Sequence, residues 1–322
     1  MTINILGAGA FGTALAISYA QHEDVVLWAR SQEAADQINL DRENKLRLAG
    51  YKLPKNVSVT AQIYDLSEGA PCLLSIPMQS LAPFCVSNKT ALDRFDLFAC
   101  CKGVDLKSGL GPVGILNQYF DSDRTGILSG PSFARDLAEG LPTALTIAMS
   151  DAAKLTQQQD RLTTPHLRLY ATTDIEGVEL GGALKNVMAI ACGVVEGAGL
   201  GESARAAILT RGFAEMRSYA ANVGNAQEQT LLGLSGLGDL TLTASSSKSR
   251  NFRFGMAIGA REIWHSAETV EGAATACALA KIAQDRDLDL PLIKIVAQLV
   301  DGKLSVETAL EILMARPLRK EN

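Results

Sequence analysis

The chain has 322 residues, 47% of them hydrophobic and 20% charged, with a formal net charge of −5. Such a composition is that of an ordinary soluble globular protein with room for two domains. The acidic balance argues against nucleic acid or an anionic membrane as the main partner, so any basic groups that matter act locally.

The six cysteines (Cys72, Cys85, Cys100, Cys101, Cys192 and Cys277) show no CxxC spacing and no disulfide framework. Most lie in apolar runs, where a free thiol acts as a small hydrophobe, and this fits a reducing cytoplasm. His22, His166 and His265 stand at no metal-ligand spacing, so no metal site is expected. No basic stretch precedes an apolar one at the start, and no apolar run of membrane-spanning length is free of glycine or charge. Neither a secretory signal nor stable membrane insertion is therefore read.

In chain order, Thr2 to Leu6 is a β-branched run leading directly into Gly7-Ala8-Gly9-Ala10-Phe11-Gly12. A helical pattern follows to Ala20, then a second strand, Val25 to Trp28. Strand, GxGxxG, helix and strand within about thirty residues form the dinucleotide-binding fingerprint. Gly7 makes the tight turn, Gly9 admits a pyrophosphate to the backbone, and Gly12 lets helix and strand pack closely. The helix start offers amide donors and a positive dipole to the phosphates. After the second strand comes Ala29-Arg30-Ser31, where an NAD-selective site usually has an acidic residue. An arginine there pairs with a 2′-phosphate, which favours NADP(H) over NAD(H); the alternative is an exposed loop arginine.

Val57 to Thr60, Cys72 to Ile76 and Leu97 to Cys101 read as further strands, the last ending at Lys102-Gly103. Ligands of open α/β sheets lie beyond the carboxyl ends of strands, where Lys102 stands. The plainer reading is a solvated strand-end lysine. Thr125 to Leu128 leads into Ser129-Gly130-Pro131-Ser132, and Ser132 is placed to cap a helix running to Glu139. Pro142 to Met149 and Leu167 to Ala171 are later strands appended to a mostly parallel sheet. Asp174 is expected to cap a long helix, which puts the domain boundary there: 1–174 an α/β Rossmann-type unit, 175–322 helical.

That long helix holds Gly181-Gly182-Ala183-Leu184-Lys185. Leu184, Val187, Met188, Ala191 and Val195 share one bulky face, while Lys185 shares the other with Gly181, Gly182, Ala189 and Cys192. Small neighbours predict open space beside the ammonium group; the alternative is a lysine that snorkels to solvent. Further on, Gly233 to Gly238 reads as a glycine-rich loop before Asp239 that brings backbone close to another group. Asp239 is either a helix cap or a carboxylate that orients Lys185. Ser245 to Asn251 opens a helix from Phe252 to Ala260, and a serine cap, the helix-start amides and Arg250 make either an anion site or a capped polar surface loop. Val270-Glu271-Gly272 precedes a small-residue helix, and the tail is an amphipathic helix with polar ends.

Taken together, the segments GAGAFGTALA from Gly7, CKGV from Cys101, SGPSFA from Ser129, GGALKNV from Gly181, GLGDL from Gly236, SRNFRFG from Ser249 and VEG from Val270 resemble, in order, the bacterial-type NAD(P)-dependent sn-glycerol-3-phosphate dehydrogenases. The resemblance implies a Rossmann domain followed by an all-α domain of the 6-phosphogluconate dehydrogenase type, a homodimer, and a small phosphorylated substrate. It implies that Lys185 is the catalytic lysine, Asp239 its carboxylate partner, and Lys102 a second lysine touching substrate and cofactor. Gly130 and Ser132 become substrate contacts, as do Ser249, Arg250 and Asn251. Ala10, Phe11, Arg30, Ala134, Arg250 and Glu271 become cofactor contacts. Ala10 stands where a serine is common, and Ala273-Ala274-Thr275-Ala276 replaces a segment that usually carries a bulkier residue and an arginine. Two rival readings are a hydroxy-acid dehydrogenase of the same superfamily and a non-catalytic NAD(P)-binding sensor.

Overall fold

A computed structural model of the chain describes residues 2–265 and 270–315. The polar end of the expected tail helix, from residue 316 on, lies outside the described residues, as do four positions of the segment ahead of Glu271.

The alternation of short β-branched runs with helical patterns produces a doubly wound sheet. Its elements in order are β1 (Thr2–Leu6), α1 (Ala10–Tyr19), β2 (Asp24–Trp28), α2 (Gln32–Asp41), β3 (Val57–Thr60), β4 (Cys72–Leu74), α3 (Met78–Leu92) and β5 (Leu97–Ala99). There follow α4 (Pro112–Leu116), β6 (Thr125–Ser129), α5 (Ala134–Ala138), β7 (Thr143–Met149), α6 (Ala152–Leu162) and β8 (Leu167–Thr172). The eight strands lie in the order β3-β2-β1-β4-β5-β6-β7-β8. All pairs are parallel except β6 with β7, so β7 and β8 are the appended strands expected from sequence.

The order reverses between β1 and β4, which makes their carboxyl ends the switch point where such sheets receive ligands. One apolar layer, with Leu15, Tyr19, Phe98 and Ile147, covers one face of the sheet. A second, with Leu74, Leu81, Leu97 and Leu116, covers the other. Strands buried on both faces read as continuous apolar runs rather than alternating ones, as Cys72-Leu73-Leu74 does.

From residue 175 the chain is helical: α7 (Ile175–Gly197), α8 (Glu202–Val223), α9 (Glu228–Leu232), a π-helical turn (Leu234–Gly238), α10 (Asp239–Thr243), α11 (Arg250–Gly259), α12 (Glu271–Asp285), α13 (Pro291–Val300) and α14 (Val306–Met314). The expected loop before Asp239 is thus a π turn that runs directly into α10. The Asp174 cap is present, its Oδ1 accepting from Gly177 N at 2.9 Å. Of the described helices, α7 alone is long and apolar enough to cross a membrane, and 89% of its most apolar window is buried within the protein.

The chain forms two compact units. The first comprises Met1–Gly182 and Asn225–Asp239, the second Ala183–Gly224 and Leu240–Asn322. Packing therefore assigns the first turns of α7 to the sheet unit and returns the stretch 225–239 to it. The ties are specific: Asp174 Oδ2 accepts from Gln227 N at 2.8 Å and Glu176 Oε2 from Asn225 N at 3.0 Å.

The second unit is built on a crossing of α7 with α11. A Cβ at Gly193 would lie 2.1 Å from Phe252 O, one at Gly197 2.0 Å from Met256 O, and one at Gly255 2.2 Å from Ile190 O. Glycines four apart on both helices let the two backbones touch. In the same unit, buried Glu215 on α8 accepts from Leu292 N and Ile293 N at 2.8 and 3.2 Å and so caps α13.

Candidate functional site

In the sheet unit, the residue after β1 is Gly7, at φ +118°, and a Cβ there would lie 2.5 Å from Ser75 O at the end of β4. Only glycine fits both the angle and the space. Gly12 packs against the same turn, since its Cβ would lie 2.0 Å from Gly7 O. Gly9 differs. It is the N-cap of α1, and no atom lies within 4 Å of where its Cβ would be. Ala10 and Phe11 form the first turn of α1, which holds no acidic residue. An open glycine and free-standing first-turn amides at a switch point suit a dinucleotide pyrophosphate. Arg30 is exposed just past β2, and Ser31 caps α2 by accepting from Ala34 N at 3.3 Å.

Three of the residues singled out from sequence meet at one point of this unit. Lys102 Nζ donates to Asp239 Oδ2 at 2.5 Å and to Gly130 O at 3.1 Å. Gly130 is at φ +144°, a backbone angle that residues with a side chain rarely adopt. Asp239 is 1% exposed, so its carboxylate is held inside the protein beside the ammonium. Lys102 is thus no solvated strand-end lysine. The pair joins the end of β5 to the start of α10, across a sequence separation of 137.

Two expectations need correction here. Ser132 does not cap a helix: α5 starts at Ala134 with Phe133 as N-cap, and Ser132 Oγ donates to Gly130 O at 3.4 Å. The cause is one extra extended residue after the proline. Nor is there open space beside the glycine pair of α7. A Cβ at Gly181 would lie 2.6 Å from Ser235 O, and one at Gly182 would lie 3.3 Å from Lys102 Cγ and 3.1 Å from Ser129 Oγ. The backbone of the π turn and the stem of Lys102 fill that volume. Ser129 Oγ is itself buried with no hydrogen-bond partner among the described residues.

One turn before the glycine pair, Glu179 accepts from Val113 N at 2.6 Å, and Gly111 lies against its carboxylate. Burial lifts its carboxyl to about 7, with the backbone amides of Val113 and Gly114 opposing that rise.

In the helical unit Lys185 is 6% exposed and donates to Thr243 Oγ1 at 2.8 Å. It does not reach solvent, so the snorkelling alternative falls. Ser249 is the N-cap of α11 and accepts from Phe252 N at 3.2 Å, which starts the helix at Arg250 rather than Phe252. Arg250 is exposed at that helix start. Asn251 donates to Asn186 Oδ1 at 2.8 Å and accepts from Gly272 N at 3.0 Å. It thereby ties α11 to α7 and to the first turn of α12, which begins at Glu271. Ala134, in the sheet unit, opens α5 and packs on the first apolar layer.

Thr243 and Asn186 went unnoticed in the sequence. Thr243 follows Asp239 by four residues, one helical turn, and that spacing was the available signal. All six cysteines are free and all but Cys277 are buried; burial raises the Cys85, Cys100 and Cys192 thiols to about 12, which makes them inert packing groups. No cluster of metal-ligating side chains occurs among the described residues.

A doubly wound sheet with a glycine-rich turn at its switch point, followed by a helical unit, defines a two-unit dinucleotide-binding protein of the Rossmann type. Residues 2–155 match the profile of the NAD-dependent glycerol-3-phosphate dehydrogenase N-terminus, and residues 174–311 that of its C-terminus. The chain belongs to that family.

It is 50% identical to a glycerol-3-phosphate dehydrogenase, NAD(P)+, of Roseobacter denitrificans over 321 residues, covering 100% of both chains. The counterpart in Zymomonas mobilis is 41% identical, with 99% of this chain and 94% of that one covered. The crystal structure of the glycerol-3-phosphate dehydrogenase from Coxiella burnetii superposes with a TM-score of 0.89 at 30% identity, covering 98% of this chain and 99% of that one.

Proposed function

We propose that this protein interconverts dihydroxyacetone phosphate and sn-glycerol 3-phosphate with NAD(P)H, and that residues 1–174 serve the nucleotide and 175–322 the substrate. The observation that carries the reading is the burial of Lys185, 6% exposed in the middle of a long helix. Placing a charged lysine inside a protein is costly, and such lysines are retained where their chemistry is used.

The nicotinamide supplies the hydride. Lys185 holds a proton at the C2 carbonyl oxygen, stabilises the charge that develops there, and delivers the proton as the alcohol forms. Asp239 balances that charge and is the carboxylate partner. Lys102, already bound to Asp239, contacts both substrate and cofactor. Gly130, Ser132, Ser249, Arg250 and Asn251 bind the substrate, with Arg250 and the amides at the start of α11 taking the phosphate. Gly7, Gly9, Ala10, Phe11, Gly12, Arg30, Ala134, Arg250 and Glu271 hold the dinucleotide. Arg30 favours NADP(H) because it has the charge to pair with a 2′-phosphate. A homodimer, a cytoplasmic location supported by the six free thiols, and a supply of glycerol 3-phosphate for phospholipid synthesis complete the proposal.

The test is the decay of the reduced-nicotinamide absorbance with dihydroxyacetone phosphate, NADPH and NADH being run side by side. Substrate-dependent decay is expected, faster with NADPH. Lys185→Ala is expected to lower kcat by about 10²- to 10⁴-fold while cofactor still binds. Near-normal turnover of that variant would overturn the role of Lys185, and no decay with either cofactor would overturn the activity.

A further inference from the structure

Asn44 lies outside the glycine fingerprint, between α2 and β3, and is 4% exposed. Its Nδ2 donates to Ala8 O and to Thr13 Oγ1, both at 2.9 Å, and its Oδ1 accepts from Arg47 N at 3.3 Å. Every polar atom of this buried amide is therefore engaged. Two of its three bonds go to the nucleotide turn: Ala8 stands between Gly7 and Gly9, and Thr13 is in α1.

The consequence follows from the geometry of the peptide bond. A trans peptide is planar, and its C=O and N–H point in opposite directions. By holding the Ala8 carbonyl inward, Asn44 holds the N–H of Gly9 outward. That N–H belongs to the N-cap of α1, on the side where no atom lies within 4 Å of a Cβ position. Resting on the reading of this turn as the pyrophosphate site, we propose that Asn44 is a positioning residue for the cofactor: it orients the Gly9 amide toward the dinucleotide phosphate and locks the turn to α1 through Thr13. Pre-set donors bind an anion more tightly than donors that must be ordered on binding.

The test is a direct titration of NADPH by its fluorescence, with steady-state kinetics beside it. Asn44→Ala is expected to weaken NADPH binding about tenfold, the worth of one or two neutral hydrogen bonds. KM for dihydroxyacetone phosphate and kcat at saturating NADPH are expected to stay within about twofold of wild type. Asn44→Asp keeps the size and the acceptor for Arg47 but has no donor for Ala8 O, and it is expected to bind NADPH at least as weakly. Unchanged NADPH affinity in Asn44→Ala, or wild-type affinity in Asn44→Asp, overturns the proposal. A parallel loss of both KM values, kcat and thermal stability also overturns it, because a merely structural role would act that way. Should the wild type bind NADPH but fail to reduce the triose phosphate, the activity proposed above falls, while a tenfold loss of NADPH affinity in Asn44→Ala still supports this assignment.

Discussion

Two glycine-rich places in the sheet unit look alike in sequence and differ in structure. In the nucleotide turn, Gly7 and Gly12 are closed against protein atoms but Gly9 faces an open side. In α7, Gly181 and Gly182 are both closed, one by the backbone at Ser235 and the other by the stem of Lys102. The difference teaches that a glycine reports close approach without saying what approaches. At the turn, the preceding strand and following helix supply that information. On α7 nothing nearby in sequence does, because the approaching groups come from residues 102 and 235.

The sharpest way to break this comparison is to add a methyl group at each position. Gly12→Ala drives a Cβ into Gly7 O and is expected to cost about 3 kcal/mol or more, read by denaturant melting. Gly9→Ala meets nothing, so stability is expected to change by less than about 1 kcal/mol. NADPH affinity should nevertheless fall at least tenfold by the proposed role of that glycine, roughly the loss of one good anion contact. Equal behaviour of the two variants would erase the distinction between closed and open glycines in the turn.

The neighbourhood of the α7 pair has its own pH signature. The Glu179 carboxyl is raised from its ordinary 4.5 to about 7 by burial, so the native protein holds that proton more tightly than the unfolded chain. Its contribution is fully present below pH 4.5 and is lost as pH rises through about 7, by at most about 3 kcal/mol. Glu179→Gln is expected to flatten that part of the stability profile; an unaltered slope between pH 4.5 and 7 would show that another group titrates there.

Smaller effects sharpen the comparison further. Gly181→Ala pushes on Ser235 O and is expected to cost about 2 kcal/mol. It should also reduce turnover, since the displaced π turn runs into Asp239. Ser129→Ala removes a buried hydroxyl that has no partner among the described residues, and is expected to raise stability by about 1 kcal/mol in the absence of substrate. A fall in melting temperature would mean that the hydroxyl is satisfied in solution.

These contrasts also explain what the sequence disclosed. The sheet unit was legible because its strands are apolar runs bounded by helical patterns, and because the fingerprint packs its whole meaning into six consecutive residues. Lys102 at a strand end, the Asp174 cap and the presence of a serine cap between Ser245 and Asn251 were legible for the same local reason. The partner of Lys102 was not, since Asp239 lies on a different element far along the chain. Gly233 to Gly238 was read as a loop that brings backbone close to something, and the close approach is there, since Gly236 is pressed on Leu231 O, 2.0 Å from its Cβ position. The π-helical form was not legible because glycine disfavours a helix. Thr243 and Asn186 were passed over because single polar residues in helices carry no pattern of their own.

The return of residues 225–239 to the sheet unit also bears on how the protein is made. As the chain leaves the ribosome, β1 to β8 emerge first, yet the unit they belong to lacks its last stretch until Ala183–Gly224 has followed. The bond between Lys102 and Asp239, which spans 137 residues of sequence, is expected to form late in folding, because contacts far apart in sequence wait for the chain between them. A fragment ending at Gly182 would leave Asp174 and Glu176 without the amides of Gln227 and Asn225, and Gly181 without the turn that covers it. Grafting a different helical half onto this sheet therefore takes three junctions in the chain, at 182, 224 and 239, where a simple tandem protein needs one.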